Sequence, residues 1–389
     1  MKFASFKQAT IGLALLITVT VSFGQLNHLK STKKETSQWS AGAFYDQDYT
    51  LEMFGLKRLN EDRNYTMGLG VFVSSNGFKK TFLFRPLDFL NKILTKQPSL
   101  IDKDNSNPNN KTTILLGNGS FTPDSLPAYY IIHNDRPYGS ITYLQFKRQF
   151  TDYNNLKKWN SYLNVGVIGS NISRDVQTAI HKSMNEGDTK SPRTPRGWPH
   201  QISQGGEFTL LYFGEKESLL SKKLYQNEHN GSRRTQMLAF ECKHSFSYGL
   251  GYYTFAGYNF SFRTGLIDPR NWTYEANPLS GSNKGLDPYL AKPPKSEYYL
   301  FASLRPTFIL YNAMLNGQFR KSDYTLSFAD MNHGVLEFDA GLTLAPVICQ
   351  SNRFDVNLKF SGRSPEFELS GRAPRWHYWG GLDFIYSHF

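Results

Sequence analysis

Beyond its N-terminus, the sequence of 389 residues lacks any apolar run long enough to span a membrane as a helix, and its mean hydropathy is −0.48. A helical membrane protein is therefore excluded. Only two cysteines occur, Cys242 and Cys349, and they form no metal motif; they either pair in an oxidising compartment or stay unpaired within strands. The sequence also lacks a zinc motif, a phosphate-cradling glycine loop and a nucleophile-elbow serine, which excludes three common kinds of site.

The first residues, MKFASFKQATIGLALLITVTVSFGQ, have the features of an export signal. Two lysines precede an apolar run, and Ser22 and Gly24 form a small-x-small cleavage pattern. We predict a signal peptide over residues 1–24 and a mature barrel over 25–389; the alternative, a membrane anchor, has too short an apolar run. An exported chain is a poor candidate for nucleic-acid binding, so the net charge of +12 indicates phospholipid or lipopolysaccharide as the anionic partner.

Apolar and polar residues alternate along many segments, such as VLEFDAGLTL (335–344) and RFDVNLKF (353–360). Charged groups in mid-strand need water or partners, whereas the opposite face needs lipid or a core. Several segments reach ten residues, as a tilted membrane strand requires. We therefore predict an all-β fold, a twelve-stranded antiparallel transmembrane β-barrel, with strands near 41–54, 64–75, 111–121, 138–150, 159–169, 204–214, 235–248, 251–263, 297–314, 334–345, 353–362 and 380–389.

The connections and the last strand are consistent with a barrel in the bacterial outer membrane. The chain ends WGGLDFIYSHF, an aromatic-rich strand with a terminal aromatic residue. Long polar connections at 96–112 and 266–296 predict long loops at one end of the barrel and short turns at the other. A secreted β-sandwich that binds glycans is the soluble alternative.

The second predicted strand, EDRNYTMGLGVFV, combines an apolar face with a face of small residues. Strict alternation places Tyr65, Met67, Leu69 and Val71 towards lipid. It places Thr66 inward near the rim, where Gly68 and Gly70 leave free volume unless they mark a bend in the barrel.

One segment has helical rather than strand periodicity. In SNISRDVQTAIHKSM, Ile172, Val176, Ile180 and Met184 recur at i+4 steps, which predicts a helix over 170–184. Gln177 and His181 lie one turn apart on another face. A helix between two strands is not needed to close a barrel, so this segment is a candidate for function. His181 is the best general-base candidate among nine histidines, although a lone helical histidine is more often structural.

Two charged groups have both a functional and a structural interpretation. Asp46, Asp48 and Glu52 fall on one face of the first strand, an acidic row suited to Ca²⁺ or simply a water-lined wall paired with basic residues. Lys190, Arg193 and Arg196 recur every third residue, a fork suited to phosphate groups or a solvated loop.

Three stretches in order resemble one family. DRNYTMGLGV (62–71), NDRPYGSITYLQ (134–145) and the block from LNVGVIGSNI to GWPHQI (163–202) are similar to segments of the outer-membrane lipid A 3-O-deacylase family, LpxR type. LYNAMLNG (310–317) fits a late strand of that family. The resemblance covers most of the mature chain, and three blocks in order are more specific than one.

The resemblance implies a calcium-dependent hydrolase that removes the 3-position acyl or acyloxyacyl chain from lipid A in the outer membrane of a Gram-negative bacterium. It implies a catalytic site between the barrel wall and a short helix in an extracellular loop. The family's catalytic histidine falls on His181 and its threonine on Thr66. Its Asn-Asp pair falls on Gln47 and Asp48, so Gln47 replaces the asparagine.

The acidic residue expected after the histidine has two candidates, Glu186 and Asp188, and with Asp48 these form the expected Ca²⁺ ligands. In the implied mechanism, His181 takes a proton from water and Ca²⁺ stabilises the oxyanion, while Arg193 and Arg196 hold lipid A phosphates. We expect a monomer that binds lipopolysaccharide. The alternative of another class is a non-catalytic outer-membrane barrel, either a porin or a structural component of an export machine.

Overall fold

The computed structural model describes residues 39–47, 50–53, 55, 64–101, 110–185, 195–226, 237–268, 271–272, 295–349, 352–371 and 373–388. Its strands are β1 (Trp39–Gln47), β2 (Asn64–Ser75), β3 (Asn110–Thr122), β4 (Gly139–Asp152), β5 (Lys157–Ile168), β6 (Glu207–Gln226), β7 (Met237–Gly251), β8 (Tyr253–Leu266), β9 (Glu297–Asn312), β10 (Gly334–Ala345), β11 (Val347–Cys349), β12 (Asn352–Arg363) and β13 (His377–His388).

Twelve of these strands close into one antiparallel ring. The long strands pair in chain order, β10 pairs directly with β12, and β13 pairs with β1. The three-residue β11 is an addition beside β12. The ring confirms the predicted twelve-stranded barrel, and because the sheet closes on itself it rules out a two-sheet sandwich.

Alternation along the strands separates an apolar exterior from a polar interior. On β9, Leu300 is 58% exposed and Phe308 is 56% exposed on the outer face. Glu297 and Arg305 of the same strand point inward, are almost completely buried and form ion pairs. An outer face of this composition requires lipid, as in outer-membrane barrels.

Charged side chains of the barrel interior pair with one another, mostly across strands. Glu217 lies 2.9 Å from Lys158 and 3.1 Å from Lys243, on the two neighbouring strands. Lys359 lies 3.1 Å from Asp46 and 3.2 Å from Asp383. Other interior pairs are Arg263–Glu241, Arg353–Asp355, Arg305–Glu337 and Arg363–Glu366. Buried charges need such partners. In the described strands, ion pairs therefore hold the charged side chains of the lumen.

The two ends of the barrel differ in which segments they carry. The terminal end holds Trp39 and His388 and the connections 76–109, 153–156, 227–236, 267–296 and 346–351. The distal end holds the connections 48–63, 123–138, 169–206, 313–333 and 364–376, and Tyr252 alone between β7 and β8. Long connections occur at both ends, so the predicted division into one end of loops and one end of turns is wrong.

The helices are α1 (Thr50–Met53), α2 (Arg85–Leu94), α3 (Ile172–Asn185) and α4 (Ala313–Asn316), with 3₁₀ turns at Asn76–Lys80, Phe82–Phe84, Pro98–Ile101, Trp198–His200 and Phe328–Asp330. α3 confirms the helix predicted over 170–184. α2 is a helix that the sequence patterns did not predict. Of the helices described, none has both the length and the apolar character needed to span a membrane.

The first strand is shorter than predicted, and this breaks the acidic row. β1 ends at Gln47, and Thr50, placed in the strand by the sequence pattern, begins α1 and donates its hydroxyl hydrogen bond to the Gln47 carbonyl. Asp46 points into the lumen and is held by Lys359. Asp48 and the side chain of Glu52 lie outside the described residues. Cys242 and Cys349 are both unpaired.

Candidate active site on the outer wall

Polar residues occupy the outer face of four adjacent strands near the distal end. Strand register aligns Gln47 with Met67, Met67 with Ser120, and Ser120 with Ser140. Three strand spacings of about 4.8 Å place the ends of this row roughly 14 Å apart. We call the outer-face residues at this position the outer polar patch: Gln47, Thr66, Asn118, Ser120, Ser140 and Thr142.

The face on which these residues lie follows from their strand neighbours. On β3, Asn118 and Ser120 are in phase with Leu116, which is 51% exposed on the outside. On β4, Ser140 and Thr142 are in phase with Leu144, which is 37% exposed. Polar groups on a lipid-facing wall are costly and commonly functional, so the patch requires partners other than lipid.

Thr66 joins the patch because β2 contains a β-bulge. The register shifts between Tyr65 and Met67, so Thr66 has no partner residue on β3. Its buried hydroxyl donates a long hydrogen bond of 3.4 Å to the Ser120 carbonyl. Bulges often lie beside active sites, where they redirect a side chain.

The bulge also reverses the phase that was predicted for this end of β2. Tyr65, predicted to face lipid, points into the barrel, where its ring packs against Phe121 and Trp379. Because neighbouring side chains alternate, Thr66 points to the outer face rather than inward. A Cβ on Gly68 would lie only 1.6 Å from the Tyr65 hydroxyl, so the tyrosine ring fills the volume that was predicted to be free.

Helix α3 packs a polar face on the β3 and β4 residues of the outer polar patch. Asn118 donates to the Thr142 hydroxyl at 2.9 Å, and the Ser173 hydroxyl donates to the Asn118 side-chain oxygen at 3.1 Å. The Thr142 hydroxyl also lies 3.3 Å from that of Ser170. Ser173 is fully buried, whereas Ile172 on the predicted apolar stripe is 50% exposed. The helix therefore turns polar residues to the wall and an apolar residue away from it.

A buried tryptophan holds the middle of α3. The indole nitrogen of Trp198 donates to the side-chain oxygen of Gln177 at 2.9 Å, and both side chains are buried. His181 lies one turn after Gln177, so helical spacing places the two residues on one face of α3. The side chain of His181 is outside the described part of the chain.

Residues of the resembling blocks build the support around this tryptophan. The rings of Tyr138 and Trp198 lie 5.0 Å apart, and a Cβ on Gly197 would come within 2.3 Å of the tyrosine ring. The Ser140 hydroxyl donates to the Gln201 side chain at 2.8 Å. These contacts join the segments 134–145 and 195–202, and through Trp198 they support α3 at Gln177.

The Asp-Arg pair near the start of the 134–145 segment stabilises the rim. The Asp135 carboxylate accepts from the backbone nitrogens of Asp124 and Arg136, each at 2.8 Å. Arg136 stacks on the Phe121 ring and pairs with Glu366 at 3.5 Å. Burial lowers the pKa of Arg136 to about 10, although the nearby Glu366 opposes this shift. Arg136 is therefore still charged at neutral pH and acts as a structural residue.

The described residues bring together two of the predicted catalytic residues, Gln47 and Thr66, and place the backbone of His181 on the covering helix. Arg196 is exposed and its backbone nitrogen donates to the Leu126 carbonyl. Asp48, Glu186, Asp188, Lys190 and Arg193 lie outside the described residues. In the part of the chain that is described, no group of three acidic, histidine or cysteine side chains could hold a metal ion.

Sequence reasoning missed the wall residues that anchor α3. Asn118, Ser140 and Thr142 are ordinary strand residues by type, and only their phase with Leu116 and Leu144 marks them as polar groups on the lipid side. The sequence contains this alternation. It identifies the polar residues only when it is known which face of β3 and β4 points outward.

A protein-family model described as "Outer membrane protein LpxR" matches residues 12–388 of this chain. The chain belongs to the LpxR family. Among solved structures, LpxR from Salmonella typhimurium matches with a TM-score of 0.63 and 14% identity, over 89% of this chain and 99% of that chain. At this identity the match establishes a shared fold. The resemblance stated from the sequence is thereby confirmed.

More distant barrels also match. The β domain of the Bordetella autotransporter Brka has a TM-score of 0.36 at 7% identity, over 91% of this chain and 99% of that chain. The Pseudomonas putida toluene transporter TodX has a TM-score of 0.32 at 6% identity, over 92% and 90%. No curated protein sequence matches. Membership of the LpxR family places this chain in the Gram-negative outer membrane, as predicted.

Proposed function

We propose that this chain is a calcium-dependent lipid A 3-O-deacylase, an esterase that removes the 3-position acyl or acyloxyacyl chain from lipid A. The observation that carries the proposal is the outer polar patch beneath α3, in a chain of the LpxR family. A lipid substrate reaches the barrel from the side, so groups that act on its ester must lie on the outer wall. The patch lies there, near the distal rim.

The residues have separate roles in the proposed reaction. His181 accepts a proton from water as the water oxygen attacks the ester carbonyl, and it returns the proton to the sugar oxygen when the ester C–O bond breaks and the acyl chain leaves as a free acid. General acid–base catalysis of this kind contributes about 10²–10⁴-fold. The Thr66 hydroxyl donates a hydrogen bond to the substrate, and Gln47 positions it. Arg193 and Arg196 hold the phosphates of lipid A through charge-assisted hydrogen bonds.

We assign the Ca²⁺ ligands to carboxylates that neighbour Gln47 and the end of α3 in the sequence. Asp48 follows Gln47 in the chain, and Glu186 or Asp188 follows the end of α3, so in this proposal the hard oxygen ligands that Ca²⁺ prefers come from the residues after β1 and after α3. When bound, Ca²⁺ would supply positive charge next to the developing oxyanion. We further propose that the protein acts as a monomer and that the distal end faces outward, where lipopolysaccharide lies.

The test is mass spectrometry of lipid A after incubation with the detergent-purified protein, first with Ca²⁺ and then with EDTA. We expect loss of one hydroxyacyl chain or acyloxyacyl unit with Ca²⁺ only. Unchanged lipid A under both conditions would overturn the proposal and favour the non-catalytic barrel.

Variants then separate chemistry from folding. We expect His181→Ala to abolish hydrolysis and Thr66→Val to lower it at least tenfold, because each removes a group that contacts the reacting atoms in this proposal. Thr264→Val, on the exposed outer face of β8, is the matched control and should keep full activity. Heat-modifiable gel migration would verify that each variant is a folded barrel. Activity in folded His181→Ala would rule this base out.

A further inference from the structure

A second helical segment packs on the outer wall, at the terminal end. Residues 76–101 leave β2 and form the 3₁₀ turns and α2, which we call the wall segment. Phe84 and Leu87 are fully buried against Phe146, Leu163 and Tyr212 of β4, β5 and β6. These strand residues are in phase with Leu144, Val167 and Leu210, which are exposed on the outside. The wall segment therefore covers the exterior of the barrel rather than its lumen.

A buried ion pair fixes this segment to β4. Arg148 lies on the outer face of β4 and donates to both oxygens of Asp88, at 2.9 and 3.0 Å. The same guanidinium donates to the Lys79 carbonyl at 3.0 Å and stacks on the Phe84 ring. Asn91 accepts from the Tyr212 hydroxyl at 3.0 Å. These polar contacts define one docked face of the helix.

The opposite face of the wall segment is apolar and exposed. Phe82 is 69% exposed, Phe89 is 63% exposed and Ile93 is 54% exposed. Large apolar side chains grouped in this way mark a contact surface. The surface continues into the lipid-facing wall, since Leu144 lies two residues from Phe146 on the same face. Continuity with lipid-facing residues indicates that α2 lies in the membrane boundary.

The exposed charges of the wall segment have one sign. Lys80, Arg85, Lys92 and Lys96 are all exposed. Asp88 is the only acidic residue between positions 76 and 101, and its carboxylate binds Arg148. A helix with an apolar outer face and basic side chains at its edges is typical of a segment that lies at an anionic lipid surface.

We infer that the wall segment binds anionic glycerophospholipid, with its exposed aromatic and aliphatic side chains among the acyl chains and Arg85 and Lys92 at the phosphates. The ligand is a phospholipid rather than lipopolysaccharide, because the segment is at the terminal end, opposite the outer polar patch; this choice rests on the proposed orientation, in which the distal end faces outward. The inference goes beyond the proposed deacylase activity, and its tests do not depend on hydrolysis.

The first experiment measures how deeply the side chain at position 89 lies in a lipid bilayer. Phe89→Trp is reconstituted in vesicles of phosphatidylglycerol and phosphatidylcholine with brominated acyl chains, and its emission is compared with that of the parent protein. We expect the added emission to be quenched by at least half. Phe319→Trp, at a 91% exposed position in a distal connection, is the matched control and should stay unquenched. Equal, weak quenching of both would overturn the inference.

The second experiment measures headgroup selectivity by native mass spectrometry of the detergent-purified chain with phosphatidylglycerol, phosphatidylcholine or lipid A. For Arg85→Gln/Lys92→Gln we expect about a 25-fold loss of phosphatidylglycerol affinity, at roughly fivefold per basic side chain. Lys295→Gln/Lys321→Gln, at two exposed lysines elsewhere, should bind as the parent does. An unchanged affinity would overturn the inference, as would an equal loss of lipid A affinity, which would make lipopolysaccharide the ligand.

Discussion

Gln47 is the residue at which this chain departs most clearly from the pattern it resembles. The side chain is one methylene longer than asparagine, which displaces its amide along the outer wall. The structure provides a partner for the displaced group, since the Tyr45 hydroxyl donates to the Gln47 side-chain oxygen. Both side chains lie on the outer face of β1, so the longer amide is held in place within the outer polar patch.

Changing this residue tests whether the position of its amide limits activity. We predict that Gln47→Asn raises lipid A deacylation several-fold, because the shorter side chain brings its amide back to the position that the family pattern implies. The measurement is the initial rate of deacylated lipid A formation at saturating Ca²⁺. Gln47→Ala, which removes the amide, should lower the same rate; if asparagine and alanine had equal effects, the amide would have no role.

At single residues, the sequence predicted phase well where strands are regular and failed where they are not. Asp46 points inward as predicted, and Leu69 and Val71 lie on the outer face. Tyr65 and Thr66 were assigned to the wrong faces because a bulge adds one residue and reverses the alternation. The local sequence contains no signal for the bulge. It is recognised only from the pairing of β2 with β3.

The two helices on the outer wall differ in how well the sequence predicted them, because they differ in how they pack on the wall. α3 was predictable because its apolar residues recur at helical spacing over four turns. α2 was missed because its ten residues include a proline and a mixture of exposed and buried apolar residues. A helix this short is marginal alone, so its stability comes from packing on the wall. When both faces of a helix contact apolar surroundings, its apolar residues do not form one stripe, so the sequence lacks the helical periodicity that would predict it.

For α3, the Trp198 anchor gives a prediction at the scale of the element. We expect Trp198→Phe to weaken helix docking by about 1 kcal/mol, the typical net contribution of one hydrogen bond, because Gln177 loses its donor. Hydrogen exchange of the amides in 172–185 should then accelerate about fivefold, and deacylation should fall. Trp376→Phe, at a 38% exposed position, is the control. Unchanged exchange in α3 would contradict the anchoring role.

For α2, the ion pair on the outer wall gives a second prediction. Asp88→Leu leaves Arg148 buried without its carboxylate, so we expect a loss of about 3–5 kcal/mol in the free energy of unfolding. Asp88→Leu/Arg148→Met removes both charges and should recover most of that loss. The measurement is the urea midpoint of heat-modifiable gel migration in detergent. A double variant as unstable as the single one would mean that the pair itself is not the cause.

The whole barrel was the most predictable level of organisation. Twelve alternating segments correspond to twelve strands, because the difference between lipid and lumen affects every second residue over the length of each strand. Strand order assigns each connection to one end, because successive connections of an antiparallel barrel alternate between its ends; the sequence patterns did not indicate that long connections occur at both ends. Most of the paired charges of the lumen were also hidden, because in pairs such as Lys158–Glu217 the partners come from different strands.

The filled lumen separates an enzyme from a porin in one measurement. Interior pairs such as Lys158–Glu217 and Arg353–Asp355 are almost fully buried, so they occupy the volume that a conducting pore needs. We predict that the protein, reconstituted in a planar bilayer, shows no stepwise conductance of the size given by a known porin measured in parallel. Regular, porin-sized steps would favour the non-catalytic alternative.

The position of Arg148 also constrains the order of membrane insertion. An unpaired arginine on the lipid face of a barrel costs up to about 1 kcal/mol near a bilayer interface, which is where Arg148 lies, and more towards the midplane. Its partner, Asp88, precedes β3 in the chain, whereas Arg148 is in β4. β4 therefore enters lipid more favourably once residues 76–101 have reached the wall. We expect docking of α2 to precede or accompany the insertion of β4, because the helix supplies the charge that Arg148 needs on the outer face.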